Sequence, residues 1–145
     1  MKTAMLIFLS LLFSHPSFSQ HIPAAQVPPA ITKSFSSYFP NTSKVEWEKK
    51  GNLYEAEFNV KRADHKALFE SNGKLIVYKN DIPQSQLPAA VKQAIRQQYP
   101  NYRIDDVERI ARRGHVYYQV ELNGQPQDLK LVFTKEGKLD NSKGY

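Results

Sequence analysis

The chain carries a long internal repeat. Val27-Pro28-Pro29-Ala30-Ile31 recurs 60 positions on as Leu87-Pro88-Ala89-Ala90-Val91, and the two runs lead to Phe39-Pro40-Asn41 and Tyr99-Pro100-Asn101. Farther along the offset is 64: Tyr54-Glu55-Ala56-Glu57-Phe58 answers to Tyr118-Gln119-Val120-Glu121-Leu122, and Gly73-Lys74-Leu75 to Gly137-Lys138-Leu139. A repeat of this length constrains architecture strongly, because both copies must fold to one kind of unit and bury their apolar faces.

Each copy opens with a helical pattern. Pro28 and Pro88 suit a first helical turn, where a missing N–H is harmless. Ile31, Phe35 and Tyr38 fall on one helical face, as do Val91, Ala94, Ile95 and Tyr99. Pro40 and Pro100 end the helices, since the residue before a proline avoids the α region. The period then changes to two. Val45 and Trp47 alternate with Lys44, Glu46 and Glu48; Tyr54, Ala56, Phe58 and Val60 alternate with Leu53, Glu55, Glu57 and Asn59; and Val116, Tyr118, Val120 and Leu122 alternate with Tyr117, Gln119 and Glu121. Further strands are expected at His65–Glu70, Lys74–Lys79, Asp128–Lys135 and from Lys138 onward. Asn72-Gly73 and Asn123-Gly124 are hairpin signals, since both residue types accept positive φ.

The expected fold class is α+β: two tandem α-β-β-β-β repeats, joined as one antiparallel sheet of about eight strands with both helices packed on one face. The joint Asp81-Ile82-Pro83-Gln84-Ser85 is too short for a free linker. The expected division is a signal peptide at 1–19, a flexible N-terminus at 20–26, a first repeat at 27–80 and a second at 81–145.

The signal peptide rests on Lys2, the apolar run Met5–Phe13 and the small residues of Ser17-Phe18-Ser19, with cleavage expected before Gln20. Export follows, to a periplasmic or secreted location. The run is too short for a stable membrane insertion. Without any cysteine there are no disulfides, lipid-modified thiols, thiol nucleophiles or Cys-ligated metals. The formal charge of +6 is spread over scattered lysines and arginines beside turns, which with export argues against nucleic acid as a partner.

The paired openings Val27-Pro28-x-Ala30-Ile31 and Leu87-Pro88-x-Ala90-Val91, the aromatic-Pro pairs Phe39-Pro40 and Tyr99-Pro100, and the strand signatures Tyr54-x-Ala56-x-Phe58 and Tyr118-x-Val120-x-Leu122, each followed by Gly-Lys-Leu, resemble the PepSY-like proteins of the β-lactamase-inhibitor-protein-like (BLIP-like) fold. The resemblance covers nearly all of the mature chain. It implies a non-enzymatic exported protein and suggests inhibition of another protein by an open sheet, and it brings no catalytic residues.

The residues read alone agree that catalytic motifs are missing. His15, His21, His65 and His115 have no metal-ligand spacing, and there is no Gly-x-Ser-x-Gly elbow, phosphate loop or GxGxxG. Neither cofactor nor metal is expected. Glu55 and Glu57 lie side by side on one strand face, either as a ligand-gripping acidic stripe or as a wet face offset by Lys66 or Lys44 across the sheet. Trp47 is either core or a stacking platform. Parity sends Leu53, Leu68, Tyr117 and Val132 to the face away from the helices, with Glu55, Glu57, Gln119 and Glu121 around them. These eight form the candidate protein-binding surface, and Tyr117→Glu and Leu68→Glu are expected to leave folding intact. The expected function is a non-catalytic binding module, inhibitor-like, that holds an unidentified periplasmic protein or peptide on its open sheet face. The alternatives are an envelope structural protein using the same face for homo-association, or an unrecognised hydrolase.

Overall fold

The computed structural model describes residues 19–141, so the expected signal segment lies, except for Ser19, outside the described residues. The elements run β1 (Ser19–Ile22), a 3-10 turn (Ala24–Gln26), α1 (Pro29–Tyr38), β2 (Glu46–Lys50), β3 (Leu53–Val60), β4 (Ala63–Glu70), β5 (Leu75–Asp81), a second 3-10 turn (Gln84–Gln86), α2 (Ala89–Gln98), β6 (Arg103–Arg112), β7 (His115–Asn123) and β8 (Leu129–Thr134). All eight strands form one sheet in sequence order. Every neighbouring pair is antiparallel. This is the α+β, BLIP-like arrangement of two helices on a continuous sheet.

The two helices bury matched cores. Under α1 lie Ile31, Phe35, Trp47, Ala56, Phe58 and Phe69. Under α2 lie Val91, Ile95, Val107, Val120, Leu122 and Phe133, their counterparts position for position. Trp47 is therefore core, packed edge-on against Phe35 at 5.4 Å between centroids. Glycines lock each helix to its sheet. Gly73 and Gly137 have φ of +89° and +80°, and a Cβ at either would stand 2.6 Å from the carbonyl oxygen of Ala30 or Ala90. Only glycine meets both demands.

Three expectations need correction. Residues 20–26, expected to be flexible, form most of β1 and the first 3-10 turn, and β1 pairs with β2 from Ser19↔Lys50 to Ile22↔Trp47. The backbone ladder gives this short polar segment its order, without any apolar period of its own. The strand expected from Lys138 is a single bridge, Phe133↔Leu139, so eight strands arise as one before α1, four after it and three after α2. Tyr38, expected on the apolar face of α1, is 58 % exposed, and Phe39 turns inward to pack on Phe58 and Tyr78. Its counterpart Tyr99 is likewise the helix-end aromatic of the second core.

The repeat also extends upstream of Val27. Ile22-Pro23 and Ile82-Pro83 stand at the same offset of 60, and each pair links a strand to a 3-10 turn before its helix. The structural unit is thus strand, 3-10 turn, helix and three strands. Two such units meet along β4 and β5, whose pairs run from His65↔Asn80 to Phe69↔Leu75.

Candidate functional site

The change of offset from 60 to 64 has a structural origin. Trp47 answers to Val107, but Ala56 answers to Val120, so four residues are added between them, lengthening the β6–β7 hairpin by about two residues on each strand. Its tip, Arg112-Arg113-Gly114-His115, together with Tyr117, walls a groove of about 1080 Å³ on the helix-free face. Leu53, Ile76, Val77 and Tyr117 supply its apolar lining, and Glu70, Lys74 and Arg112 its charges.

The groove opens over a third apolar cluster. Leu68, Val77 and Ile110 are buried there, with Leu53, Ile76 and Tyr117 packed against them. No helix of the described residues covers this face, yet Leu68 is only 5 % exposed. Its shelter is buried Val77 together with Glu55, Lys66 and Lys79 around it, since long charged side chains cover apolar neighbours with their stems while their heads reach water.

All eight candidate residues lie on this face, as the register requires. Glu55 pairs with Leu68 and Glu57 with Lys66, while Gln119 pairs with both Glu108 and Val132. They do not form one patch. Leu53, Leu68 and Tyr117 meet in the central cluster. Glu55 and Glu57 lie on one flank with Glu48. Gln119, Glu121 and Val132 lie on the other, beyond β6. Val132 is outside the central cluster, whose middle is Val77 and Ile110, two residues that alternation did not single out. The bulge between Leu68 and Phe69 places Ile76 and Val77 together at the junction.

Charge is unevenly divided between the faces. Of fourteen acidic residues, ten share the helix-free face by register: Glu46, Glu48, Glu55, Glu57, Asp64, Glu70, Asp81, Asp106, Glu108 and Glu121. Six strand lysines and arginines stand among them: Lys50, Lys66, Lys79, Arg103, Arg112 and Lys130. A basic chain thus presents an acidic sheet.

The lysines are placed to hold the carboxylates. Lys50 Nζ donates to Glu55 Oε1 at 2.5 Å, and Lys66 Nζ to Glu57 Oε1 at 2.8 Å. Lys66 is thus the cross-strand partner expected for this pair. Its hydrogen bond lowers the Glu57 pKa. Burial pushes the Lys66 ammonium down, but the same bond together with the charges of Glu57, Glu55 and Glu108 outweighs it and the net shift is upward. Nearer the middle, burial raises the Glu108 carboxyl and depresses the Lys79 ammonium, each partly countered by the other's charge. Glu108 also accepts a hydrogen bond from Gln119 at 2.5 Å.

Among the described residues, Glu48, Glu55 and Glu57 form a group with carboxylate oxygens within 4.8 Å of one another, the spacing of a metal-ligand set. Lys50 bridges Glu48 and Glu55, at 3.7 and 2.5 Å, so the negative charge is already met from within. His65 Nδ1 lies 2.6 Å from the Tyr78 hydroxyl and its ring stacks on Phe58 at 5.4 Å, a packing role at the edge of the first core. No described helix is long and apolar enough to cross a membrane.

Solved structures share this architecture. A protein from Bacteroides eggerthii described as putative periplasmic superposes with a TM-score of 0.72 at 15 % identity, over 78 % of this chain and 85 % of that one. A DUF2874 family protein from Bacteroides uniformis gives 0.71 at 19 %, over 77 % and 85 %. A BLIP-like protein from Bacteroides fragilis gives 0.66 at 24 %, over 77 % and 82 %. At these identities the likeness is one of fold. No curated protein matches the chain. The family model described as putative beta-lactamase-inhibitor-like, PepSY-like, matches twice, at residues 17–77 and 65–141. With a duplicated sheet, two one-sided helices and both halves of its length matched, the chain belongs to the PepSY-like family.

Proposed function

We propose that this protein is a non-catalytic binding module of the cell envelope, which holds a protein or peptide on its helix-free sheet face. The observation that carries the reading is the apolar cluster of Leu68, Val77 and Ile110, which opens into a groove with no helix or strand of the described residues above it. An apolar centre ringed by charge is the anatomy of an interaction site. The partner presents an apolar side chain to Leu53, Ile76, Val77 and Tyr117, and basic groups to the surrounding carboxylates. That charge complementarity sets orientation and encounter rate, and it disfavours nucleic acid. Periplasmic location accords with the N-terminal apolar run and with the description of the Bacteroides eggerthii neighbour.

The test is capture from a periplasmic extract by the immobilised mature chain, with Tyr117→Glu and Leu53→Glu as variants. Both residues line the groove and are half-buried. Leu68→Glu is unsuitable, because it would drive a carboxylate into a position 5 % exposed. Wild type should retain a partner that both folded variants lose. Equal retention would move the site off this face. Concentration-dependent elution on size exclusion that Tyr117→Glu abolishes would make the partner a second copy.

A further inference from the structure

On the helix side, the two copies differ sharply at one place. A groove of about 670 Å³ runs between the 3-10 turn Gln84–Gln86, the outer face of α2 and the start of β6. Its cations are Lys92, Arg96 and Arg103, its aromatics Tyr99 and Tyr102, and no carboxylate lines it. None of the three cations makes an ion pair among the described residues. Lys92 Nζ reaches only the carbonyl oxygen of Ser85, at 3.3 Å. At the offset of 60, the first copy has Thr32, Ser36 and Ser43 at these positions, with Phe39 for Tyr99 and Thr42 for Tyr102. The fold therefore needs neither the charges nor the hydroxyls. In the first copy Phe39 is packed against Phe58 and Tyr78. In the second, Tyr99 and Tyr102 meet edge to face at 6.1 Å and 89° and both line the groove.

We propose that this groove of the second copy is a binding site for a phosphorylated sugar. Two arginines and a lysine line one groove without a counter-charge, and guanidinium forks match phosphate oxygens. The volume exceeds what a bare phosphate fills and lies in the range of small-molecule sites. Tyrosines provide ring faces for a sugar ring and hydroxyls for its own hydroxyls. Gln84 is held beside them by its Nε2, which donates to the carbonyl oxygen of Ile104 at 2.9 Å. The acidic residues that follow, Asp105 and Asp106, do not line the groove. All of its residues but Arg103, which the register places on the helix-free face at the start of β6, belong to the helix side, and the groove shares no residue with the one proposed to hold a protein, so either can fail without the other.

The test is titration of the mature protein with glucose 1-phosphate, followed by NMR, with glucose, inorganic phosphate and an Asp/Glu-rich peptide as comparison ligands. The comparison protein is Lys92→Thr/Arg96→Ser/Arg103→Ser, which installs the residues that the first copy already carries. Saturable shifts at Tyr99, Tyr102 and Arg103 are expected with glucose 1-phosphate, none with glucose, and weaker binding of phosphate alone. The triple variant should lose affinity by at least about tenfold, since each charge-assisted contact is of that order. Arg96 also stands in the last turn of α2, where a cation favours the helix end. A lower melting point in the triple variant with unchanged affinity would therefore assign the charges to stability and overturn the proposal. So would the absence of saturable shifts with the sugar phosphate, equal binding of glucose, or tighter binding of the acidic peptide.

Discussion

His65 shows how one side chain ties the fold to pH. Burial lowers its pKa from the ordinary value of 6.5, while Asp81 and Asp64 pull the other way. A folded pKa below the unfolded one means that the fold favours the neutral ring. Its contribution is therefore complete above about pH 6.5 and is lost as pH falls through the lower folded value. Urea midpoints should drop between about pH 7 and pH 5, and His65→Gln should lessen that drop. A drop of the same size in the variant would remove His65 from the account. The residue scale also shows where sequence reading slipped. Tyr38 and Phe39 are adjacent aromatics at the end of α1, and helical spacing from Ile31 admits either. The second copy decides between them, because Tyr99 answers to Phe39 rather than to Tyr38. Leu53 and Tyr117 were legible as groove residues, since alternation fixes a side chain's face. The burial of Leu68 was not legible, because it depends on Lys66, Lys79 and Glu55 lying over it from neighbouring positions.

The elements repeat the lesson. β6 is the longest strand, yet no period-two run marks it. The register shifts between Ile104 and Asp106, so Asp105 is an extra residue that breaks the alternation. Ile110, the residue that β6 gives to the central cluster, was hidden with it. The glycine turns were legible as turns, but their contact with the helices was not. That contact gives a test. Gly51 and Gly137 have φ of +61° and +80°, but a Cβ at Gly51 meets nothing within 4 Å. Gly51→Ala should cost only the left-handed backbone, about 1–2 kcal/mol. Gly137→Ala should cost that and a further 1–3 kcal/mol or so, as the new methyl forces α2 off the sheet. Equal losses in denaturant titrations would show that helix and sheet can separate freely at this point.

At the scale of the whole molecule, the halves share too much to come apart alone. β4 and β5 pair along five positions, and the central cluster takes Leu68 from one unit and Val77 and Ile110 from the other. A unit of roughly 60 residues is marginal by itself. Trp47, the only tryptophan, reports on the first core, and the resonances of Tyr99 and Tyr118 on the second. Both probes should give one urea midpoint. Two separated transitions would mean that the junction contributes little.

The placing of the unit boundary has a consequence for heredity. It falls in the Ser71–Lys74 turn of a β-hairpin, between β4 and β5, and not in a tether between folded bodies. In-frame recombination from one such turn to the next would insert a segment that carries its own helix, its own layer of side chains beneath it, and a leading strand to pair with the edge already present. No hairpin need be broken and no new edge invented. A gene built on this plan can lengthen or shorten by whole units, while each copy drifts independently on the outer faces.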